Sequence, residues 1–187
     1  MPHVVDVRCP DCTGPATFEF AEVARIRLRQ DVPFFKKHPL FEHALVDSRN
    51  AEGRWHAAIF FPGLHVRDTS ALRDLPDGYS PSDWDHSKYS YRTHGLDVGT
   101  VVCSKCPLRR RHTLRWPEDA RFQLGYRGQT LWAFNRDSAV ALREFVASDD
   151  RKATKWASFL LHVPKEFLAA KARSEVVKQL DRILSPT

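Results

Sequence analysis

Val4-Val-Asp-Val-Arg-Cys9-Pro-Asp-Cys12-Thr-Gly-Pro-Ala-Thr-Phe-Glu-Phe20 reads as strand, knuckle, strand. Val4 to Arg8 is short and β-prone, Thr13-Gly14-Pro15 carries turn residues, and Ala16, Phe18 and Phe20 alternate with Thr17 and Glu19 at the period of a half-buried strand. The same pattern returns at Val98-Gly-Thr-Val-Val102, Cys103-Ser-Lys-Cys106 and Arg111-His-Thr-Leu-Arg-Trp116. Two Cys-x-x-Cys turns therefore sit at the tips of two similar hairpins.

Thiolates are soft anionic ligands, and one Cys-x-x-Cys turn offers two sulfurs to a shared ion. Two such turns complete a tetrahedral, redox-silent site, so Cys9, Cys12, Cys103 and Cys106 are expected to hold one structural zinc ion. The chain has 4 cysteines, and this assignment leaves none spare. Structural disulfides are not expected in a chain that begins without an export signal. A redox dithiol needs a βαβ frame that neither pair has. Iron takes the same four ligands and stays open as the metal. The pairs are separated by 90 intervening residues, which is tolerable because loop-closure entropy grows only logarithmically with length.

The two knuckles, Cys9-Pro-Asp-Cys12 and Cys103-Ser-Lys-Cys106, resemble those of the zinc-ribbon class. The match covers about a quarter of the chain and is specific for metal binding. It implies a fold-organising ion and specifies no activity. Trp55-His-Ala-Ala-Ile-Phe-Phe-Pro-Gly63, Thr130-Leu-Trp-Ala-Phe-Asn-Arg136 and Val163-Pro-Lys-Glu-Phe-Leu-Ala-Ala-Lys171 are similar to segments of bacterial zinc-ribbon proteins without an assigned activity. No catalytic or binding residue is carried over from that likeness.

The formal charge of +6 makes an acidic partner the natural expectation, and its distribution narrows the place. From Cys103 to Arg127 there are 7 basic residues against 2 acidic ones. Lys105, Arg109, Arg110, Arg111 and Arg115 follow the second knuckle closely, with His112 among them and Trp116 after them. Such a strip can hold phosphates while an aromatic ring stacks on a base, so these residues are the candidate nucleic-acid contacts. The competing reading is a solvated strand edge, in which alternation turns at least one arginine onto an acidic neighbour.

Between the pairs, about Ala24 to Asp97, lies an insert rich in aromatics, histidine, proline and aspartate. Trp55 to Phe61 is its strand-like stretch, and a short helix is expected near Pro39 to Val46. His38, His43, His56, His65, His86 and His94 share this insert with Asp68, Asp74, Asp77, Asp83 and Asp85. Imidazole and carboxylate are the parts of hydrolytic metal sites, which keeps a metal-dependent hydrolase or nuclease in play. His56, His65, Asp85 and His86 would be its first candidates. No His-Glu-x-x-His, Gly-x-Ser-x-Gly, phosphate-cradling glycine loop or deaminase pattern supports it. Asp83 or Asp85 capping a turn is the plainer reading of Asp83-Trp-Asp-His86.

Past the second knuckle, Phe122 to Tyr126 and Thr130 to Phe134 flank Arg127-Gly-Gln129, a hairpin with Gly128 at positive φ. Asn135 is the expected N-cap of a helix to Ala147. Ser148 to Asp150 are expected to cap a second helix carrying Trp156, Phe159 and Leu160. Pro164 is expected to open a third, with Phe167, Leu168, Val176, Leu180, Ile183 and Leu184 as its apolar stripe.

The sequence thus predicts an α+β protein: a split four-cysteine zinc ribbon with a small antiparallel sheet and a hairpin over 1–23 and 98–134, an inserted subdomain over 24–97, and a helical region over 135–187. No apolar run reaches the roughly 20 residues of a membrane span, and a cytosolic location is expected. The leading expectation for function is a non-enzymatic zinc protein that binds nucleic acid through the basic strip. A protein-interaction adaptor with purely structural zinc is the alternative, and a small-molecule substrate is not expected.

Overall fold

The computed structural model describes residues 1–47, 53–64, 69, 72–85, 95–150 and 155–185. Helices and antiparallel sheets are both present, so the fold is α+β.

The first sheet joins the two ends of the cysteine-bracketed excursion. It contains β1 (Val4–Arg8), β2 (Pro15–Phe20), β6 (Val98–Cys103) and β7 (Arg109–Thr113), all antiparallel in the order β1-β2-β6-β7. Register puts Val5, Phe18, Val101 and Arg110 in one row and Val7, Ala16 and Cys103 in the next. Val5, Val7, Ala16, Phe18, Phe20 and Val101 are buried with Cys9 and Leu114. Each of the buried valine, leucine and phenylalanine side chains contributes about 1.5–3 kcal/mol relative to exposure. Beyond Thr113 the chain leaves the sheet at Leu114 and runs to the opposite edge, where Ala120 bridges Val7. The Arg8 N–H donates to the Asp119 carbonyl (2.9 Å) and that of Asp6 to the Phe134 carbonyl (2.8 Å), so the β1 edge is occupied. Among the described strands β7 pairs only with β6 and is the open edge. The second strand of this hairpin is Arg109–Thr113, not 111–116, because Leu114 and Trp116 turn away into the apolar layer.

The insert carries a second sheet of β3 (Glu22–Arg25), β5 (Arg54–Phe60) and β4 (Phe41–Asp47), ordered β3-β5-β4. One face packs on α1 (Val32–Lys37) and on Trp84, whose Nε1 donates to the Ala58 carbonyl at 2.9 Å. The other face, with Val23, Ala57, Ile59 and Phe61, continues onto Leu96 and Val98 beside the first sheet. The helix expected near Pro39 to Val46 is instead β4: all seven residues Phe41–Asp47 pair with β5, and the helix lies upstream, with Pro33 in its first turn.

The remaining chain folds as a hairpin on helices. β8 (Phe122–Tyr126) and β9 (Gln129–Ala133) turn at Arg127 and Gly128, both at positive φ, and lay Phe122, Leu124, Leu131 and Ala133 on α2 (Arg136–Ala147) and α5 (Ala170–Leu184). Asn135 caps α2 reciprocally with Ser138, both bonds at 2.9 Å. Two expectations are corrected here. α3 is the single turn Ala157–Leu160 with Trp156 as N-cap, so Ser148 to Asp150 do not cap it. The helix after Pro164 is broken at Ala169, whose extended backbone separates α4 (Lys165–Leu168) from α5. The break lets Phe167 and Val176 both enter one core. No helix among the described residues is long and apolar enough to cross a membrane.

Candidate metal centre

Cys9 ends the approach from β1, Cys12 lies one turn later, Cys103 closes β6, and Cys106 precedes β7. Their Sγ atoms all lie within 4.8 Å of one another. The closest pairs run between knuckles: Cys9 to Cys106 at 3.7 Å and Cys12 to Cys103 at 3.6 Å. A tetrahedron of sulfurs about 2.3 Å from a central ion has edges of about 3.8 Å. The two closest pairs match that edge, and the donor set suits a tetrahedral thiolate-bound metal.

The backbone explains why the sulfurs converge. Cys9 N–H donates to the Gly14 carbonyl (2.8 Å) and Thr13 N–H to that of Cys9 (2.9 Å), closing the first knuckle. Thr13 takes φ 58°, a left-handed conformation uncommon for a β-branched residue. A Cβ on Gly14 would lie 3.2 Å from both Cys12 Sγ and Lys105 Cδ, so the glycine lets the two knuckles approach. In the second knuckle the N–H groups of Lys105 and Cys106 donate to Cys103 Sγ at 3.3 and 3.4 Å. Desolvation raises the Cys103 thiol, yet these amides and the neighbouring sulfurs bring it down to about 6. The Leu108 amide lowers Cys106, but desolvation and the adjoining thiols push it up to about 12. Four crowded sulfurs cannot all carry charge unaided, and a divalent cation is what such a set favours.

The basic residues lie where the knuckle hands over to the open edge. Arg109, Arg110 and Arg111 are all exposed. Arg110 pairs with Asp11 of the first knuckle at 3.1 Å. Arg111 pairs with Glu42 of β4 at 2.6 Å and lies over the Phe61 ring, 4.8 Å from its centroid. Among the described residues the side chains of Lys105, Arg109 and Arg115 have no acidic partner. His112, on the same face as Arg110, bonds Asp119 through Nε2 at 2.9 Å, and the Arg115 N–H donates to the same carboxylate oxygen at 2.8 Å. Sequence alone could not pair His112 with Asp119, because the bond depends on the turn at Leu114.

In the insert, His43 Nε2 and His56 Nδ1 meet at 2.8 Å, and Asp83 accepts from the Ser80 N–H and from Arg27. Asp83 thus closes the capping box of a 3-10 turn, Pro81–Trp84, whose N-cap is Ser80. Among the described residues the four cysteines are the only group of three or more such side chains with converging ligand atoms. His65, Asp68, His86 and His94 lie outside the described residues.

Comparison with family models, with curated proteins and with solved structures finds no match, so the likeness to zinc ribbons rests on the two knuckles.

Proposed function

We propose that the protein binds nucleic acid through the basic edge fixed by the metal centre, and that the metal is one structural Zn(2+). The observation that carries this reading is that three exposed cations, Lys105, Arg109 and Arg115, lack acidic partners among the described residues and lie on or beside the open strand β7. Neutralised arginines are a solvated face; unpaired ones beside a rigid knuckle are available to phosphates. The insert reaches the strip at Arg111 through Glu42 and Phe61, standing beside it as a wall. Zinc is favoured over iron by the strongly basic, hydrophilic run after Cys106.

Fluorescence anisotropy with labelled single-stranded and duplex DNA and RNA at 50 and 200 mM salt tests the reading. Three phosphate contacts give a slope of log K against log[salt] of about −2 to −3. Replacing Lys105, Arg109 and Arg115 by Ser weakens binding and flattens the slope. No binding at low salt to any of the four probes would sink the proposal. The open edge of β7 favours one other reading, an adaptor that takes an extended partner segment as a fifth strand; a stable co-purifying protein with no nucleic-acid affinity is its signature.

A further inference from the structure

The outer face of the β8-β9 hairpin bears a small cavity of about 120 Å³ at which β9 meets the link from α3 to α4. Trp132, Phe159, Val163 and Pro164 supply most of its apolar lining, and Thr130 and His162 are the lining residues with small polar or imidazole side chains. Trp132 and Phe159 lie with ring centroids 5.5 Å apart, and Trp116 meets Trp132 edge-on at 5.4 Å, so the tryptophan is braced in one orientation. An apolar cavity of about 150 Å³ admits one benzene-sized ring. This one is of similar size, is open to solvent and is lined by flat aromatic surface, which fits a single planar heterocycle whose substituent stays outside.

The polar groups say which heterocycle. His162 Nδ1 lies 2.6 Å from the Ser158 carbonyl oxygen, which can only accept, so Nδ1 carries the proton. In the neutral ring Nε2 is then an acceptor, fixed as such by the bond from the link back to α3. An acceptor favours an exocyclic amino group and opposes an exocyclic carbonyl. Cytosine presents an amino donor where uracil, like thymine, presents an oxygen. Lys165, next to Pro164, is exposed and has no acidic partner among the described residues, which complements a phosphate held at the mouth.

We propose that this cavity binds the amino-bearing pyrimidine ring of a cytosine nucleotide, stacked on Trp132 and read by His162. The ring can belong to a free nucleotide or to a base of a bound strand; only the second source rests on the nucleic-acid reading above.

Titration calorimetry on the full, metal-loaded chain with CMP, UMP, and ten-residue oligo-dC and oligo-dT separates the cases. CMP is expected to bind at least tenfold more tightly than UMP, because the oxo group leaves His162 facing another acceptor. His162→Phe keeps a ring but removes the acceptor, and should abolish the preference; Thr130→Val should weaken CMP a few-fold. Both residues are exposed, and thermal melts check that the variants fold. CMP binding with no oligonucleotide affinity retains the cavity and discards the nucleic-acid reading, assigning the free nucleotide. Oligo-dC preferred over oligo-dT, with CMP weak, assigns the base of a strand. Oligonucleotide binding that depends on Lys105, Arg109 and Arg115 but shows no preference for dC, with no CMP binding, overturns the cavity and leaves the strip standing. Equal binding of CMP and UMP, or a preference that survives His162→Phe, also overturns it.

Discussion

Arg111 on the open edge strand and Glu42 on the insert's β4 form an ion pair at 2.6 Å, with the guanidinium over Phe61. The pair ties the two sheets together and removes one cation from the surface offered to an anion. Both side chains are about half exposed, so the pair stabilises the fold by at most about 1 kcal/mol. Glu42→Ala should therefore leave the melting temperature nearly unchanged. It should raise nucleic-acid affinity a few-fold at low salt and steepen the salt slope by about 0.7–0.9, the contribution of one phosphate contact. An unchanged slope would mean that Arg111 stays turned to the insert.

Metal removal should act unevenly. The four sulfurs link β1 and β2 to β6 and β7, whereas the α2-α5 core has its own apolar cluster and the Arg143–Asp181 pair. Structural zinc contributes about 10–16 kcal/mol in peptide systems, comparable to the whole stability of a domain. A chelator, or Cys103→Ser, should abolish hydrogen-exchange protection in the first sheet and leave α2 and α5 measurably protected. Metal analysis should find about one ion per chain; equal loss of protection everywhere would show the two cores to be one cooperative unit.

Gly99 faces the backbone of β2 where nothing larger fits. A Cβ there would lie 2.5 Å from Phe18 Cζ and deeper still against the Glu19 carbonyl. Gly99 is not among the positive-φ glycines, so the constraint is space alone. Gly99→Ala should cost about 1–3 kcal/mol by urea unfolding, as overpacking does in other cores. A change below about 0.5 kcal/mol would contradict the close approach.

His43 should make stability depend on pH. Burial disfavours its cation, and Lys36 and His56 add to that, so its pKa lies below the ordinary 6.5. The unfolded chain then takes up a proton near pH 6.5 that the folded chain does not. Stability from this residue is complete above that pH and declines as pH falls below it, until the folded His43 itself protonates. Urea unfolding of wild type and His43→Gln at pH 8, 7, 6 and 5.5, at fixed free zinc, should show the two curves converging toward acid. Parallel curves would refute it.

How much of this was legible in the sequence follows range. The knuckles, the turn at Gly128 and the Asn135 cap are written in adjacent residues and appear where the spacing puts them. Phe41 to Asp47 carries Glu42 and His43 in a weakly alternating run, and only pairing with β5, seven or more residues away, decides that it is a strand. The break at Ala169 interrupts Leu168-Ala-Ala170, all good helix formers, because Phe167 is drawn into the core and packing outweighs propensity. The arginines were visible, but Asp11 and Glu42, which neutralise two of them, lie 99 and 69 residues away. The cavity by Trp132 gathers residues from β9 and the α3-α4 link, with no motif to announce it.

The cross-knuckle pairing of Cys9 with Cys106 and Cys12 with Cys103 also sets an order of events on the ribosome. At about 5–20 residues per second, the 90 residues between Cys12 and Cys103 take roughly 5–18 s to emerge. Throughout that interval the first pair is a nascent half-site with two ligands, and Phe18 and Phe20 lack the β6 neighbours that bury them. Residues 22–60, which carry the whole β3-β5-β4 sheet, leave the exit tunnel before Cys103 does. The insert's sheet therefore completes its strands before the second knuckle exists, and a metal held by all four cysteines is captured only once Cys106 has emerged.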